Sequence, residues 1–450
     1  MKKILVIVIG LLMLSPLFVR AQVPAKLSLD DCLSLAKTNN ADLKMSRLEI
    51  EKAAEVKKQV YTKYFPQVNA SFSGYRALHP VIQFGVEDIQ SEDMQNLLND
   101  LFEMFLEDSD AERQIDLMWE GVSVGANVIQ PVYAGGRIVN GNRLAQLGVE
   151  AAELQAEVSE RDRLEQIEST YYLVLGLQSK VATLESALSL LDSLDHTVSV
   201  ALEAGLVTKS DALRVALKRN EFLAKQVQLT NGIRLASRLL CQEIGMEYPE
   251  TGLMLEDELT MVNGNTEELP LVGGLNRPEL RLLDIQVQAE KLRKKLTLGE
   301  TLPQIGIGGL FFYGNMIDQD MTGNAVAVVQ ASIPLSGWWE TSHKLKQHDI
   351  SIRNAELMRE DLTEKMSLQE EQAFNTMLES KALLTSDEAA LEMAQENYRL
   401  AALNYKAGLN TLTDVLEANT LMLQAENAIT DRKISYLTAR RRYRDLTVSY

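Results

Sequence analysis

The sequence predicts a mainly α chain of long coiled-coil helical hairpins in two tandem repeats, with four β-strands of membrane-crossing length. Three observations carry this expectation. Segments recur along the chain at constant shifts, two long stretches lack proline, and four short stretches alternate with period two.

The chain opens with Lys2 and Lys3, an apolar run from Ile4 to Leu14, and small residues around Val19-Arg20-Ala21. This is the pattern of a secretory signal peptide over 1–21, since the apolar run is too short to span a bilayer as a helix. Cys32 lies well past the cleavage position, so no lipid anchor is expected there. The formal charge is −18, and loss of Lys2, Lys3 and Arg20 makes the mature chain more acidic. Such a chain is expected to repel anionic lipid surfaces and nucleic acid, which excludes a nucleic-acid partner. The two cysteines, Cys32 and Cys241, are too few for a disulfide framework or a zinc site. They read as two buried thiols, with a single bridge as the alternative. The four histidines are scattered, so neither a metal nor a cofactor is expected.

The repeat is the strongest signal. Asn39-Asn40-Ala41-Asp42-Leu43 resembles Asn276-Arg277-Pro278-Glu279-Leu280, and Phe65-Pro66-Gln67 returns as Leu302-Pro303-Gln304, both at a shift of 237. Pro131 answers Pro334, Ala204-Gly205-Leu206 answers Ala407-Gly408-Leu409, and Asp211 answers Asp414, all at a shift of 203. The halves are therefore 22–245 and 275–450, joined by a connector over 246–274, and the first half holds 34 extra residues between Pro66 and Pro131.

No proline falls between Val132 and Tyr248 or after Pro334, so both stretches can hold long helices. Leu177, Val181, Leu184, Leu188, Leu191, Val198 and Leu202 keep coiled-coil spacing. A helix from Gly136 to Glu203 would be ~100 Å long at 1.5 Å per residue. Val415, Ala418, Met422, Ala425 and Ile429 form a similar stripe of small and apolar residues. Ala204-Gly205 and Ala407-Gly408 divide each stretch into two helices.

Strands are expected over about 67–75, 121–130, 304–313 and 325–333, each long enough for a tilted membrane strand. Two soluble hairpins are the alternative. Four strands cannot close a barrel, and lipid tolerates no open edge, so membrane strands would have to be pooled between copies of the chain. The surplus of the first half falls in an insert over about 77–119. Between Gly85 and Leu117 it has eleven acids and one base. Leu97, Leu98, Leu101, Phe102, Phe105 and Leu106 give it an amphipathic helical stripe. Its acids read as a solvated face, with divalent-cation or lipopolysaccharide bridging as the alternative. Trp119, Phe311, Phe312, Tyr313, Trp338 and Trp339 fall near strand ends, where aromatic girdles form.

In its order of segments the mature chain resembles the TolC-like outer-membrane efflux family. The resemblance rests on Leu27-Ser28-Leu29-Asp30-Asp31-Cys32-Leu33, on the Phe65-Pro66-Gln67 and Leu302-Pro303-Gln304 corners, and on Gln130-Pro131-Val132-Tyr133-Ala134-Gly135-Gly136-Arg137. Its most distinctive part is the stretch from Tyr405 to Ala418. The resemblance implies a homotrimer with a twelve-strand barrel in outer-membrane lipid, a periplasmic helical tunnel, and no enzymatic activity. It further implies an exit duct for small molecules that meets a periplasmic adaptor protein and an inner-membrane transporter. An exported periplasmic scaffold or adaptor is the rival reading; an adaptor would need one hairpin flanked by β-rich domains, whereas this chain offers two hairpins and four strands.

The same resemblance supplies site expectations. Thr208-Lys209-Ser210-Asp211 and Thr411-Leu412-Thr413-Asp414 read as helix caps closed by Thr208 and Thr411. Asp414 and Glu417 match positions lining the periplasmic aperture, where a ring of acids would concentrate cations. Asp211 and Tyr405 match positions that link neighbouring hairpins, although Tyr405 fits plain coiled-coil packing equally well. The family's linking arginine corresponds to Asn410, so that ion pair cannot form as such. Gly205, Leu206, Gly408 and Leu409 are candidates for adaptor docking, beside the simpler role of the glycines as helix C-caps.

Overall fold

The computed structural model describes residues 26–79, 82–85, 89–105, 114–117, 120–250, 252–256, 259, 277–315, 321–335 and 337–447. The leader 1–21, Trp119, Leu106 and much of the connector lie outside the described residues. The helices are α1 (Leu29–Asn39), α2 (Ala41–Tyr61), α3 (Glu92–Phe105), α4 (Arg137–Glu203), α5 (Lys209–Glu243), α6 (Pro278–Glu300), α7 (Gly337–Lys406) and α8 (Leu412–Thr447). The strands are β1 (Gln67–Arg76), β2 (Ile82–Gly85), β3 (Gln114–Leu117), β4 (Glu120–Ala134), β5 (Gln304–Gly314) and β6 (Thr322–Ser332).

Two compact units divide the chain. The first holds 1–49, 154–281 and 361–450; the second holds 50–153 and 282–360. Each unit takes segments from both sequence repeats.

The first unit is helical, and its core is built by residues far apart in sequence. Leu27, Cys32, Ala36, Ile167, Tyr171, Leu240 and Cys241 all pack into one cluster. Ser28 starts α1 with a capping box, its hydroxyl accepting from the Asp31 N–H while the Asp31 carboxylate accepts in return. Both cysteines are buried thiols, not bridged to each other, and burial pushes the Cys241 thiol up to about 11. Along α4, Leu184, Leu188, Leu191 and Val198 of the seam are buried, while Leu177, Val181 and Leu202 are half-buried. On α8 the covered face differs from the expected stripe. Val415 and Ala418 are buried, but Leu423 takes the place of Met422, and Asn419 and Thr430 are buried with it. The helix turns a slightly different side inward, because Leu423 fits a cluster with Leu188 and Phe222.

The second unit centres on a four-stranded antiparallel sheet of order β1-β4-β5-β6, with β2 and β3 forming a separate two-stranded ribbon. β4 runs past Gln130 to Ala134, and its register with β5 shifts between Pro131 and Tyr133. Proline has no N–H for the ladder, so a strand that continues through it does so at an irregularity. β6 covers Thr322–Ser332, starting before Ala325 and ending before Ile333. Every residue of β6 is exposed, as are nine of the ten in β1. Among the described residues neither outer strand of the sheet is covered, and no strand pairs with the outer edge of β1 or β6.

At one end of this sheet the chain passes from strand to helix through Gly135 and Gly136, both with positive φ (61° and 75°). That left-handed backbone is costly for any residue with a Cβ. The Trp338 indole N–H donates to the Thr301 carbonyl at 3.1 Å, joining the start of α7 to the turn after α6.

Candidate functional site

The two helical hairpins of the first unit end in turns of nearly identical construction. α4 closes on Gly205 (φ 73°) and α7 on Gly408 (φ 74°). Leu206 N–H donates to the Ala201 carbonyl at 2.8 Å and Leu409 N–H to the Asn404 carbonyl at 2.8 Å, each the outer bond of a Schellman motif. A Cβ on either glycine would meet nothing within 4 Å, so it is the backbone angle, not crowding, that requires glycine. The two leucines after them stand out into solvent, Leu206 at 79% and Leu409 at 77% exposure.

Each turn then starts its return helix with the same cap. The Asp211 carboxylate accepts from Thr208 N–H (3.1 Å) and Thr208 Oγ1–H (2.7 Å). The Asp414 carboxylate accepts from Thr411 N–H and Thr411 Oγ1–H, both at 2.8 Å. In return each threonine hydroxyl accepts from its aspartate's N–H at 3.3 Å. Hydrogen bonds to the ionised form hold both carboxyls below the usual range, from the Thr208 hydroxyl first for Asp211 and from the Thr411 backbone first for Asp414. Asp414 and Glu417, a turn apart on α8, are both exposed. The chain thus presents two acids from one helix face close to the turn, one of them hydrogen-bonded within the cap.

Tyr405 is half-buried against a cluster of Val198, Val215 and Leu412. Burial first, and then the charge of Asp211, push its hydroxyl up from the ordinary value. Tyr405 from the second hairpin and Asp211 from the first are therefore neighbours.

A further link was not foreseen from the sequence. Arg214 Nη1–H donates to Thr413 Oγ1 at 2.6 Å, joining α5 to α8 across 199 residues. Arg214 also helps to hold the Asp211 carboxyl low. A signal for it exists in the repeat: at the shift of 203, Arg214 corresponds to Glu417. One hairpin has a cation where its copy has an anion.

The aromatic candidates fall in the second unit. Phe311 and Tyr313 lie on the same face of β5 and are 48% and 44% exposed, and Trp339 at the start of α7 is 78% exposed. Among the described residues no helix is long and apolar enough to cross a membrane, and no three His, Cys, Asp or Glu side chains converge as a metal site would require.

Residues 275–447 match the family model described as outer membrane efflux protein. The outer membrane protein TolC of Salmonella enteritidis is 23% identical over 259 residues, covering 54% of this chain and 52% of that relative. The alignment thus spans about half the length of the curated relative. Among solved structures, the Campylobacter jejuni CmeC outer membrane channel superposes with a TM-score of 0.75 at 15% identity, over 93% of this chain and 85% of that one. The outer-membrane channel OprN gives a TM-score of 0.73 at 16% identity, over 93% and 89%. At such identities the structural likeness is one of fold.

Proposed function

We propose, from the match of residues 275–447 to the outer membrane efflux protein family model, that this chain is the exit duct of a tripartite export system, passing small molecules across the outer membrane. The observation that carries this reading is the β1-β4-β5-β6 sheet. Its strands have ten to fifteen residues, enough to cross a bilayer when tilted, and among the described residues the outer edges of β1 and β6 have no strand partner. Lipid leaves no water to satisfy an open edge, so such a sheet is stable there only when β1 of one copy pairs with β6 of the next. Three copies pooling four strands each would give a twelve-strand barrel, and the helical hairpins would form a periplasmic conduit.

In this reading the hairpin turns form the inner aperture. Three copies of Asp414 and Glu417 around one axis supply a ring of carboxylates that favours cations. Asp211 and Tyr405, together with the Arg214–Thr413 bond, hold the two hairpins of one chain against each other where the family uses an arginine at the position of Asn410. Leu206 and Leu409, exposed beside their glycines, offer the apolar contact for a periplasmic adaptor that connects to an inner-membrane transporter. Phe311, Tyr313, Trp338 and Trp339 serve as interfacial aromatics.

Planar-bilayer conductance of the purified oligomer, wild type beside Asp414→Ala/Glu417→Ala, tests this. Discrete cation-selective steps that lose selectivity in the double variant are expected. Steps unchanged by the substitutions would leave the duct and remove the acidic aperture. A water-soluble monomer would end the channel reading and favour a periplasmic scaffold.

A further inference from the structure

The net charge of −18 conceals a basic band at one end of the sheet. β1 begins, β4 ends, β5 begins and β6 ends at that end, since Gln67 pairs with Ile129, Ala134 with Gln304 and Gln304 with Ser332. The segments that flank these strand ends carry exposed cations: Lys63 just before β1, Arg143 after β4, Lys291 and Lys295 before β5, and Lys346 after β6.

Between α4 and α6 the band becomes a groove of about 410 Å³, lined by Arg143, Gln146, Leu147, Lys291, Leu292 and Lys295 among others. Leu147 and Leu292 are half-buried in it, and Arg143, Lys291 and Lys295 are exposed around it. Of the three cations, Lys291 lies 3.4 Å from Glu356. No ion pair joins Arg143 or Lys295 to an acid among the described residues. At 1.5 Å per helical residue, Arg143 lies ~9 Å into α4 and Lys295 ~8 Å from the end of α6. Both are about one headgroup layer away from the strand ends.

We infer that this groove binds the phosphate of an anionic phospholipid from the leaflet at the foot of the strands, through Arg143 and Lys295. The inference rests on the membrane reading of the sheet. The chemistry is that of two cations lining one groove without an acidic partner among the described residues, at the depth where headgroups lie. A guanidinium can take two phosphate oxygens at once, and the ammonium adds a point charge. The expected repulsion of anionic surfaces by the whole acidic chain does not hold at this band, because charges farther than about 8–10 Å are screened at physiological salt. Local cations decide the local potential.

Native mass spectrometry of the detergent-solubilised full-length oligomer tests this, with phosphatidylglycerol, phosphatidylcholine and inorganic phosphate as separate probes. Phosphatidylglycerol should be retained in preference to phosphatidylcholine. Arg143→Gln/Lys295→Gln should weaken retention by about fivefold per charge removed, the factor for roughly 1 kcal/mol per basic residue near a lipid surface. Arg143→Lys/Lys295→Arg should keep it. Equal retention by wild type and a double glutamine variant that forms the same oligomer overturns the proposal. So does displacement of the lipid by inorganic phosphate at equal concentration, which would make a free anion the occupant. Insertion of both proteins into phosphatidylcholine vesicles is scored separately. Insertion without lipid preference rejects the groove alone, whereas failure of wild type to insert rejects the membrane reading.

Discussion

Gly135 and Gly299 meet backbone to backbone where β4 turns into α4 and α6 ends before β5. A Cβ on Gly299 would stand 2.5 Å from the Gly135 carbonyl oxygen, and a Cβ on Gly135 would collide with the Gly299 carbonyl in the same way. Side chains cannot give way here, because the opposing atoms are main chain. Gly135→Ala therefore combines this overlap with an alanine at φ 61°, a conformation costing about 1–2 kcal/mol by itself. Gly136→Ala keeps the angle penalty but meets only the Asn140 amide at 3.5 Å. Thermal unfolding followed by circular dichroism should show a clearly larger loss for Gly135→Ala than for Gly136→Ala. Equal losses would mean that the close approach is not needed.

The Arg214–Thr413 bond gives a second prediction. Arg214→Ala and Thr413→Val should each raise the open conductance of the oligomer in planar bilayers, by loosening α5 from α8. If the two act through one bond, the double variant should resemble either single one rather than add them. Additive effects would show that Arg214 and Thr413 act separately.

Acidification should affect the aperture late. Asp414 is held below the usual carboxylate range by Thr411, so its folded value lies below its unfolded value of about 3.9. A depressed carboxylate contributes stability that is complete above the unfolded value and is lost as pH falls through the folded one. Cation selectivity should thus be lost at lower pH in wild type than in Thr411→Val, which removes the hydroxyl donor. Selectivity vanishing near pH 6 in wild type would contradict the cap as the controlling environment.

A buried ion cluster in the first unit gives the fourth. Arg441 lies 3.0 Å from Glu168 and 2.6 Å from Asp445, with all three side chains at 8% exposure or less. Removing Arg441 takes the shared cation from between two buried acids, with Arg444 still 3.9 Å from Asp445, and losses of about 3–5 kcal/mol follow when a buried pair is broken in this way. Arg441→Met should lower the unfolding midpoint far more than Glu168→Gln, which keeps shape and removes a charge. Burial raises the Glu168 carboxyl above its ordinary value despite Arg441. The folded state then holds that proton more tightly, so the Glu168 contribution to stability declines as pH rises from the unfolded value through the folded one, and Glu168→Gln should flatten that slope.

Helices and strands were legible because their signals are local. The buried Leu184-Leu188-Leu191 seam and the alternation of β1 depend on residues two to four positions apart, and a proline-free stretch is read directly along the chain. The Thr-x-x-Asp caps were legible for the same reason, since Thr411 and Asp414 are three residues apart. The strand limits were less so, as β4 continues through Pro131, where local rules suggest an end and pairing with β5 carries it on.

By itself the sequence determined a duplicated, mainly helical chain with four membrane-length strands, because backbone preference and hydrophobic period are written in near neighbours. Only the tertiary structure decided that Leu423 rather than Met422 faces inward, that Arg214 reaches Thr413, that Gly135 touches Gly299, and that Arg143 and Lys295 share a groove. Each of these joins residues whose proximity depends on how helices rotate and cross. Rotation by a fraction of a turn leaves the sequence pattern intact while changing every partner, so packing of the whole core is what selects among them.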